Sequence, residues 1–271
     1  MGWASYREDI ISRYVGATRV PQRARCAPAA GPTERRGAAP NVASIRNEGK
    51  KMSKLKEFTV SSARPLPVIV MADISGSMAA DGKIDALNSA VAEMIAAFAE
   101  EDDGRAEIHV AVATFGGDAA LHVELTPASG VQWTPMKANG RTPMGAALDI
   151  VTDLIEDRER VPSRAYRPTV VLVSDGLPND EWRGPLARLL GSERAAKAQR
   201  FALGIGADAD HDVLRAFLDD AEGRVFEAHE AREIRKFFQW VTMSVSSRSR
   251  SAQPNHTVDV DPLNLDDYGD F

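Results

Sequence analysis

The residues best suited to chemistry are oxygen donors, and they recur at three places in the chain. Asp73-Ile-Ser75-Gly-Ser77 alternates a carboxylate with two hydroxyls. A curved loop can therefore turn three oxygens toward one point, and Gly76 permits the sharp bend. Gly140-Arg-Thr142-Pro-Met-Gly145 offers a further hydroxyl, and Ser174-Asp175-Gly176-Leu-Pro178 a second carboxylate. Two carboxylates and three hydroxyls form an all-oxygen donor set of formal charge -2. Such a set suits a hard divalent cation such as Mg²⁺, which favours octahedral oxygen coordination and retains some waters. Mn²⁺ or Ca²⁺ are alternatives. Taken singly, each residue has a plainer role. Asp73 could form a turn, Thr142 could cap a helix begun by Pro143, and Asp175-Gly176 is a common turn pair. The elements that carry them decide the matter.

Leu66 to Ala72 is almost wholly apolar and ends at Asp73, which suits a central parallel strand buried on both faces. In the helix expected from Gly82 to Glu101, Ile84, Leu87, Ala90, Val91, Met94, Ile95 and Phe98 recur every three or four residues. Ile108 to Phe115 and Ala119 to Leu125 read as a hairpin turned at Gly116-Gly117. Pro143 to about Glu159 reads as a helix, Thr169 to Ser174 as a strand and 183–199 as a helix. Strand Arg200 to Ile205, helix Asp210 to Asp219, strand Gly223 to Phe226 and helix Ala231 to about Ser244 complete the order β-α-β-β-α-β-α-β-α-β-α. That alternation predicts a three-layer α/β domain with one antiparallel hairpin strand. In such sheets ligands gather beyond the carboxyl ends of the strands, where strand order switches. All three donor loops belong there.

The remaining segments differ in character. The 271-residue chain has a net charge of -6, unevenly spread: residues 1–51 carry +6 and residues 52–271 carry -12. Residues 1–60 are expected to be a disordered basic, Pro-rich leader, too polar to recover its ordering entropy by burial. Asn47 to Met52 back-translates to a purine-rich stretch ahead of a start codon, so translation in a bacterium is expected to begin at Met52. Cys26 is the single cysteine, which rules out an intrachain disulfide. Residues 246–271 are expected to be a flexible acidic tail, preceded by the polar run Ser244 to Asn255. The acidic balance argues against nonspecific nucleic-acid binding. No apolar run nears the roughly 20 residues of a membrane helix, and no apolar h-region marks a secretory signal.

Enzymatic machinery is not apparent. Position 75 is Ser where a haloacid-dehalogenase-type phosphotransferase would need a second aspartate. Gly204-Ile-Gly206 lacks the rest of a dinucleotide fingerprint, and neither GxxxxGK[ST] nor GxSxG occurs at the donor loops. His109, His122, His211, His229 and His256 show no metal-ligand spacing and no evident carboxylate partner.

Asp73-x-Ser75-x-Ser77, followed by Thr142 and Asp175-Gly176, resembles the metal-ion-dependent adhesion site of von Willebrand factor A (VWA) domains. The resemblance covers about residues 64–245. Within that family, Pro67 to Met78 looks most like the small bacterial tellurite-resistance proteins of the TerY type. It implies a Rossmann-like, mostly parallel six-stranded sheet ordered 3-2-1-4-5-6, with the antiparallel hairpin strand at an edge. It implies that Ser75, Ser77 and Thr142 supply hydroxyl ligands, and that Asp73 and Asp175 hold Mg²⁺ directly or through water. The open coordination position would take an Asp or Glu from a protein partner. A non-catalytic, cytoplasmic binding module is thus expected, in a stress or tellurite-resistance system with a kinase or phosphatase nearby. Trp133, Met136, Arg141, Leu177, Asn179 and Trp182 are candidate docking residues, Trp182 as an anchor if exposed. The alternative is self-association or autoinhibition, with Asp261 or Asp270 of the tail reaching the metal; a metal-dependent hydrolase or phosphatase is a further alternative.

Overall fold

The computed structural model describes residues 63–101, 105–220 and 223–256. The proposed leader, the Met52 start, Cys26 and the aspartates of the tail lie outside them. Strand β1 (Arg64–Asp73) is buried at every position after Arg64. Its run of Val, Ile and Met has no polar face to offer water, so it sits in the middle of the sheet. It pairs in parallel with β2 (Ala106–Gly116) on one side and with β4 (Thr169–Ser174) on the other. Strand β3 (Asp118–Pro127) closes a hairpin on β2 and is only half-buried, as an edge strand should be. Strands β5 (Gln199–Ile205) and β6 (Val225–Ala228) extend the other side in parallel. The order is β3-β2-β1-β4-β5-β6, a mixed α/β sheet of six strands with one antiparallel pair.

The side-chain alternation of β1 divides the core. Leu66, Val68, Val70 and Ala72 face helices α1 (Lys83–Ala99) and α5 (Ala231–Arg250). Ile69 and Met71 face α2 (Met144–Glu156), α3 (Arg183–Gly191) and α4 (His211–Leu218). Each buried Leu, Ile, Val or Phe contributes about 1.5–3 kcal/mol. The connection through α1 covers one face and the connection through α2 the other. The crevice therefore opens beyond the carboxyl ends of β1 and β4.

Three elements differ from their sequence expectation. A 3₁₀ segment, Gly76–Gly82, precedes α1, and Asp81 and Gly82 take left-handed conformations (φ 54° and 69°), so the helix starts at Lys83. The helix expected over 183–199 stops at Gly191. Glu156 Oε1 accepts the Arg194 and Ala195 N–H groups at 2.7 and 2.9 Å, which turns the chain into a short 3₁₀ piece instead. The polar run after Ser244 is not a free linker: α5 continues to Arg250. Val245, Arg248 and Ser249 of that run are buried. Arg248 is 2 % exposed and donates to Thr169 Oγ1, Gln199 Oε1, Arg167 O and Pro254 O. Burial, and secondarily Arg167, lowers its pKa to about 10.

Candidate functional site

The loop after β1 is fixed before any side chain acts. Ile74 N–H donates to Phe115 O at 3.1 Å, and Asn139 N–H donates to Ile74 O at 2.7 Å. Gly76 N–H donates to Gly140 O at 3.0 Å, and Gly117 N–H donates to Arg141 O at 2.9 Å. The loop carrying Thr142 is thereby clamped between the Asp73–Ser77 loop and the hairpin turn. Two glycines make this contact possible. A Cβ on Gly116 would lie 2.5 Å from Ile74 O, and one on Gly140 would lie 2.4 Å from Gly117 Cα. Gly140 also holds φ at +70°, which side chains disfavour. Further along the same connection, buried Asn88 of α1 donates to Met136 O at 2.9 Å and accepts from Met136 N–H at 2.8 Å.

On this frame the side-chain oxygens converge. Asp73 is fully buried; its Oδ1 accepts from Ser75 N–H at 2.9 Å and its Oδ2 from Ser174 O–H at 2.7 Å. Ser75 Oγ and Ser77 Oγ lie 3.0 Å apart, and Ser77 O–H donates to Asp175 Oδ1 at 2.7 Å. Asp175 is 1 % exposed, and its Oδ2 accepts from the Lys83 ammonium at 3.0 Å. Asp73, Ser75, Ser77 and Asp175 thus form one hydrogen-bonded chain. Burial pushes the Asp73 pKa up, and the nearby charge of Asp175 adds to this. Hydrogen bonds from Ser174 and Ser75 pull the other way without cancelling it.

Thr142 is buried at the edge of this cluster, held through its backbone. Asn179 N–H donates to Thr142 O at 3.1 Å, and the Asn179 amide brackets the Thr142 peptide, its oxygen accepting from Thr142 N–H at 2.9 Å. Thr142 does not cap α2. Pro143 holds the N-cap position instead of the first helical turn. The Gly145 and Ala146 N–H groups donate to Asp180, each at 3.0 Å. The plainer role considered for Thr142 is thus filled by another residue.

Three participants were not picked out from sequence. Ser174 lies in the quoted loop and was signalled only by adjacency to Asp175. Lys83 and Asp180 gave no signal, since their contacts span 92 and 35 or fewer residues. The docking candidates separate clearly. Met136 is core, Trp133 packs edge-on to His122 with ring centroids 5.4 Å apart, and Trp182 is half-buried with the Arg183 guanidinium 4.7 Å from its ring. Trp182 is therefore not an exposed anchor. Leu177 is 68 % exposed and flanked by exposed Arg141 and Asn179. Three of the five histidines do find carboxylates: His109 meets Glu107 at 2.9 Å, and His211 and His229 both approach Glu227. Among the described residues no three or more His, Cys, Asp or Glu side chains gather where they could hold a metal. The donor set at the strand ends is two carboxylates with hydroxyls.

The fold recurs in solved structures. The pilus adhesin SpaC of Lactobacillus rhamnosus GG superposes with a TM-score of 0.56 at 15 % identity, over 70 % of this chain and 31 % of that one. Proximal thread matrix protein 1 from the mussel byssus gives 0.50 at 19 % identity, over 66 % and 46 %. In another of its crystal structures that mussel protein carries zinc in its metal-ion-dependent adhesion site. A von Willebrand factor type A protein from Catenulispora acidiphila gives 0.49 at 23 % identity, over 67 % and 42 %. The chain spans about a third to a half of the length of these structures. The named pilus and byssus proteins contradict the expected cytoplasmic location. No helix among the described residues is long and apolar enough to cross a membrane. No curated protein matches the sequence. The family model described as von Willebrand factor type A domain matches residues 68–240, well over half of the chain, and the chain belongs to that family.

Proposed function

We propose that this VWA domain is a divalent-metal-dependent protein-binding module. Its carrying observation is the hydrogen-bonded run from buried Asp73 through the Ser75 N–H and hydroxyl and the exposed Ser77 to buried Asp175, with the Thr142 loop clamped beside it. The donor chemistry fits Mg²⁺. All the donors are hard oxygens, and two carboxylates are buried side by side, an arrangement that disfavours its own charge unless a cation offsets it. Ser75, Ser77 and Thr142 would supply hydroxyls, and Asp73 and Asp175 the charge. The bound ion would act as a Lewis acid toward a carboxylate of the partner, and the coordination bond would give the contact its direction. Leu177, Arg141 and Asn179 form the rim on which the partner's flanking residues would rest.

Self-docking by Asp261 in the same molecule is disfavoured by reach. Asn255 accepts from Arg167 N–H at 2.8 Å, at the opposite end of β4 from Asp175. The eight residue steps from Arg167 to Asp175 span about 25 Å along the strand. Six further residues from Asn255 to Asp261 extend at most about 21 Å, and the path must also skirt the helices. A second molecule, or a later aspartate such as Asp270, is free of that limit. The stress-response and phospho-signalling setting rests on the resemblance of Pro67 to Met78 alone; co-purified kinase or phosphatase would support it.

The test is a pull-down from the native source with Mg²⁺, with chelator, and with Asp73→Ala. A partner retained with Mg²⁺ and lost in both other arms is expected. Full retention by the Asp73→Ala variant, shown folded by circular dichroism, would refute the mechanism.

A further inference from the structure

Lys83 stands in an unfavourable place unless it has a task. It is the first residue of α1, where the helix dipole disfavours positive charge. Its ammonium nevertheless reaches into the site and meets fully buried Asp175 Oδ2 at 3.0 Å, while its own side chain is 19 % exposed. It is the cation paired with the two-carboxylate cluster. On its other side lies a cavity of about 280 Å³ lined by Lys83, Asp81, Ile205, Gly206, Asp208 and Glu230, among others. The Gly206 side of that cavity is in van der Waals range of the ammonium: a Cβ there would lie 3.4 Å from Nζ. Asp81, Asp208, Glu230 and His229 line the same cavity, the Glu230 carboxylate already accepting a backbone N–H of α5, so the Lys83 stem has a second seat among acidic residues. No side chain at position 206 obstructs it.

We propose that Lys83 is a tethered counter-ion that occupies Asp175 when the site holds no metal and must yield to the divalent ion, swinging into the Asp81–Asp208–Glu230 cavity. This rests on the metal-binding reading above. Lys83 is then the residue that sets the metal affinity of the site. With the ammonium in place the cluster carries a net charge of -1 rather than -2, and an incoming ion must displace an ion pair that is largely shielded from water. The swing keeps the lysine's charge compensated, because the cavity supplies carboxylates. Binding of metal and movement of α1's first residue become one event.

The experiment is a calorimetric Mn²⁺ titration of the full chain as wild type, Lys83→Met, Lys83→Arg and Asp73→Ala. Met keeps the stem and removes the charge, so its affinity should rise about tenfold or more. Arg keeps the charge and should stay within about threefold of wild type. Lys83→Gln replaces Lys83→Met if the latter does not fold. Thermal melting supplies the second readout. Without metal the uncharged variant should melt below wild type, and saturating Mn²⁺ should raise it by more than it raises wild type. Binding by wild type and the uncharged variant within twofold of each other, or weaker in the variant, would overturn the role of Lys83 and leave the metal site standing. No binding in either, or binding unaffected by Asp73→Ala, would overturn the metal reading and this inference with it.

Discussion

Asp73→Asn separates the charge of the site from its shape. Asp73 Oδ1 accepts the Ser75 N–H at 2.9 Å, and an asparagine oxygen in that position keeps the bond. Oδ2 accepts the Ser174 hydroxyl at 2.7 Å. An amide nitrogen there reverses the bond and donates to Ser174 Oγ, whose proton then turns to Gly176 O, 3.3 Å away. Both contacts survive and only the charge is lost. That charge opposes folding in the metal-free protein, because burial and Asp175 raise the Asp73 pKa above its ordinary value of 3.8. The native state therefore holds the Asp73 proton more tightly than the unfolded chain does. Metal-free stability from this group falls as pH rises from the unfolded pKa through the native one, and is not regained above it. Asp73→Asn escapes that loss, so its metal-free melting temperature at pH 7 should equal or exceed that of wild type. Metal reverses the ranking. At a hundred times its Kd, the ion stabilises wild type by about 2.7 kcal/mol, which for a domain of this size is roughly 5–11 °C. The variant should gain less than about 2 °C. Differential scanning fluorimetry with and without Mg²⁺ or Mn²⁺ reads both effects. A variant shift matching wild type would refute Asp73 as a ligand. A metal-free variant melting several degrees below wild type would refute the claim that its charge opposes folding.

Two further outcomes test the frame. Arg248→Met should lower unfolding stability by about 2–4 kcal/mol in urea, because four acceptors lose a buried donor while the guanidinium's desolvation is relieved only in part. It should leave metal affinity within twofold, since Arg248 meets Thr169, at the start of β4, away from the site at its far end. Glu156→Gln tests pH dependence. Burial raises the Glu156 pKa, but the Ala195 and Arg194 N–H groups outweigh it and hold the pKa below 4.5. The carboxylate's contribution is thus present above about pH 4.5 and lost as pH falls through the lower native value. The variant should be less stable by about 1 kcal/mol or less at pH 7, and the difference should close in melts below that native pKa; a difference that persists unchanged to pH 2 would refute the assignment.

The alternation of strands and helices and their apolar faces were legible because each is written locally, whereas the strand order came from the resemblance to VWA domains. Val68 to Met71 has one reading as an apolar run before Asp73, and α1 declares its face through Leu87, Val91, Met94 and Phe98. The contacts that finish the site are written nowhere nearby. Lys83 reads as an ordinary first-turn residue until β4 brings Asp175 beside it. Thr142 reads as a helix cap until Asp180, from beyond the next strand, takes the α2 N–H groups. The polar run after Ser244 reads as a linker because its inward residues are Ser, Val and Arg. Only Thr169 and Gln199 at the start of their strands, with the Arg167 and Pro254 carbonyls, make burial of Arg248 tolerable. Hydropathy reports what a residue avoids, and such partners are supplied by topology.

The site also conflicts with stability in a consistent direction. Two carboxylates are buried together, a lysine opens a helix against its dipole, and Asp81 takes a left-handed φ of 54°. Apolar residues of similar volume would generally hold these loops at no loss, and often with gain. Elsewhere the same protein follows local rules closely: Asp210 caps α4, and Glu230 with Glu233 forms a capping box on α5. The frame has exceptions of its own, Asp219 at φ 49° and buried Arg248, but the crevice gathers several in one place, the pattern expected of a functional site. Two of them share a sign as well: the carboxylate pair buries negative charge, and Lys83 sets a cation beside it. The cation-binding role proposed above would account for both together, since the ion would meet the carboxylates and the lysine would offset their charge without it.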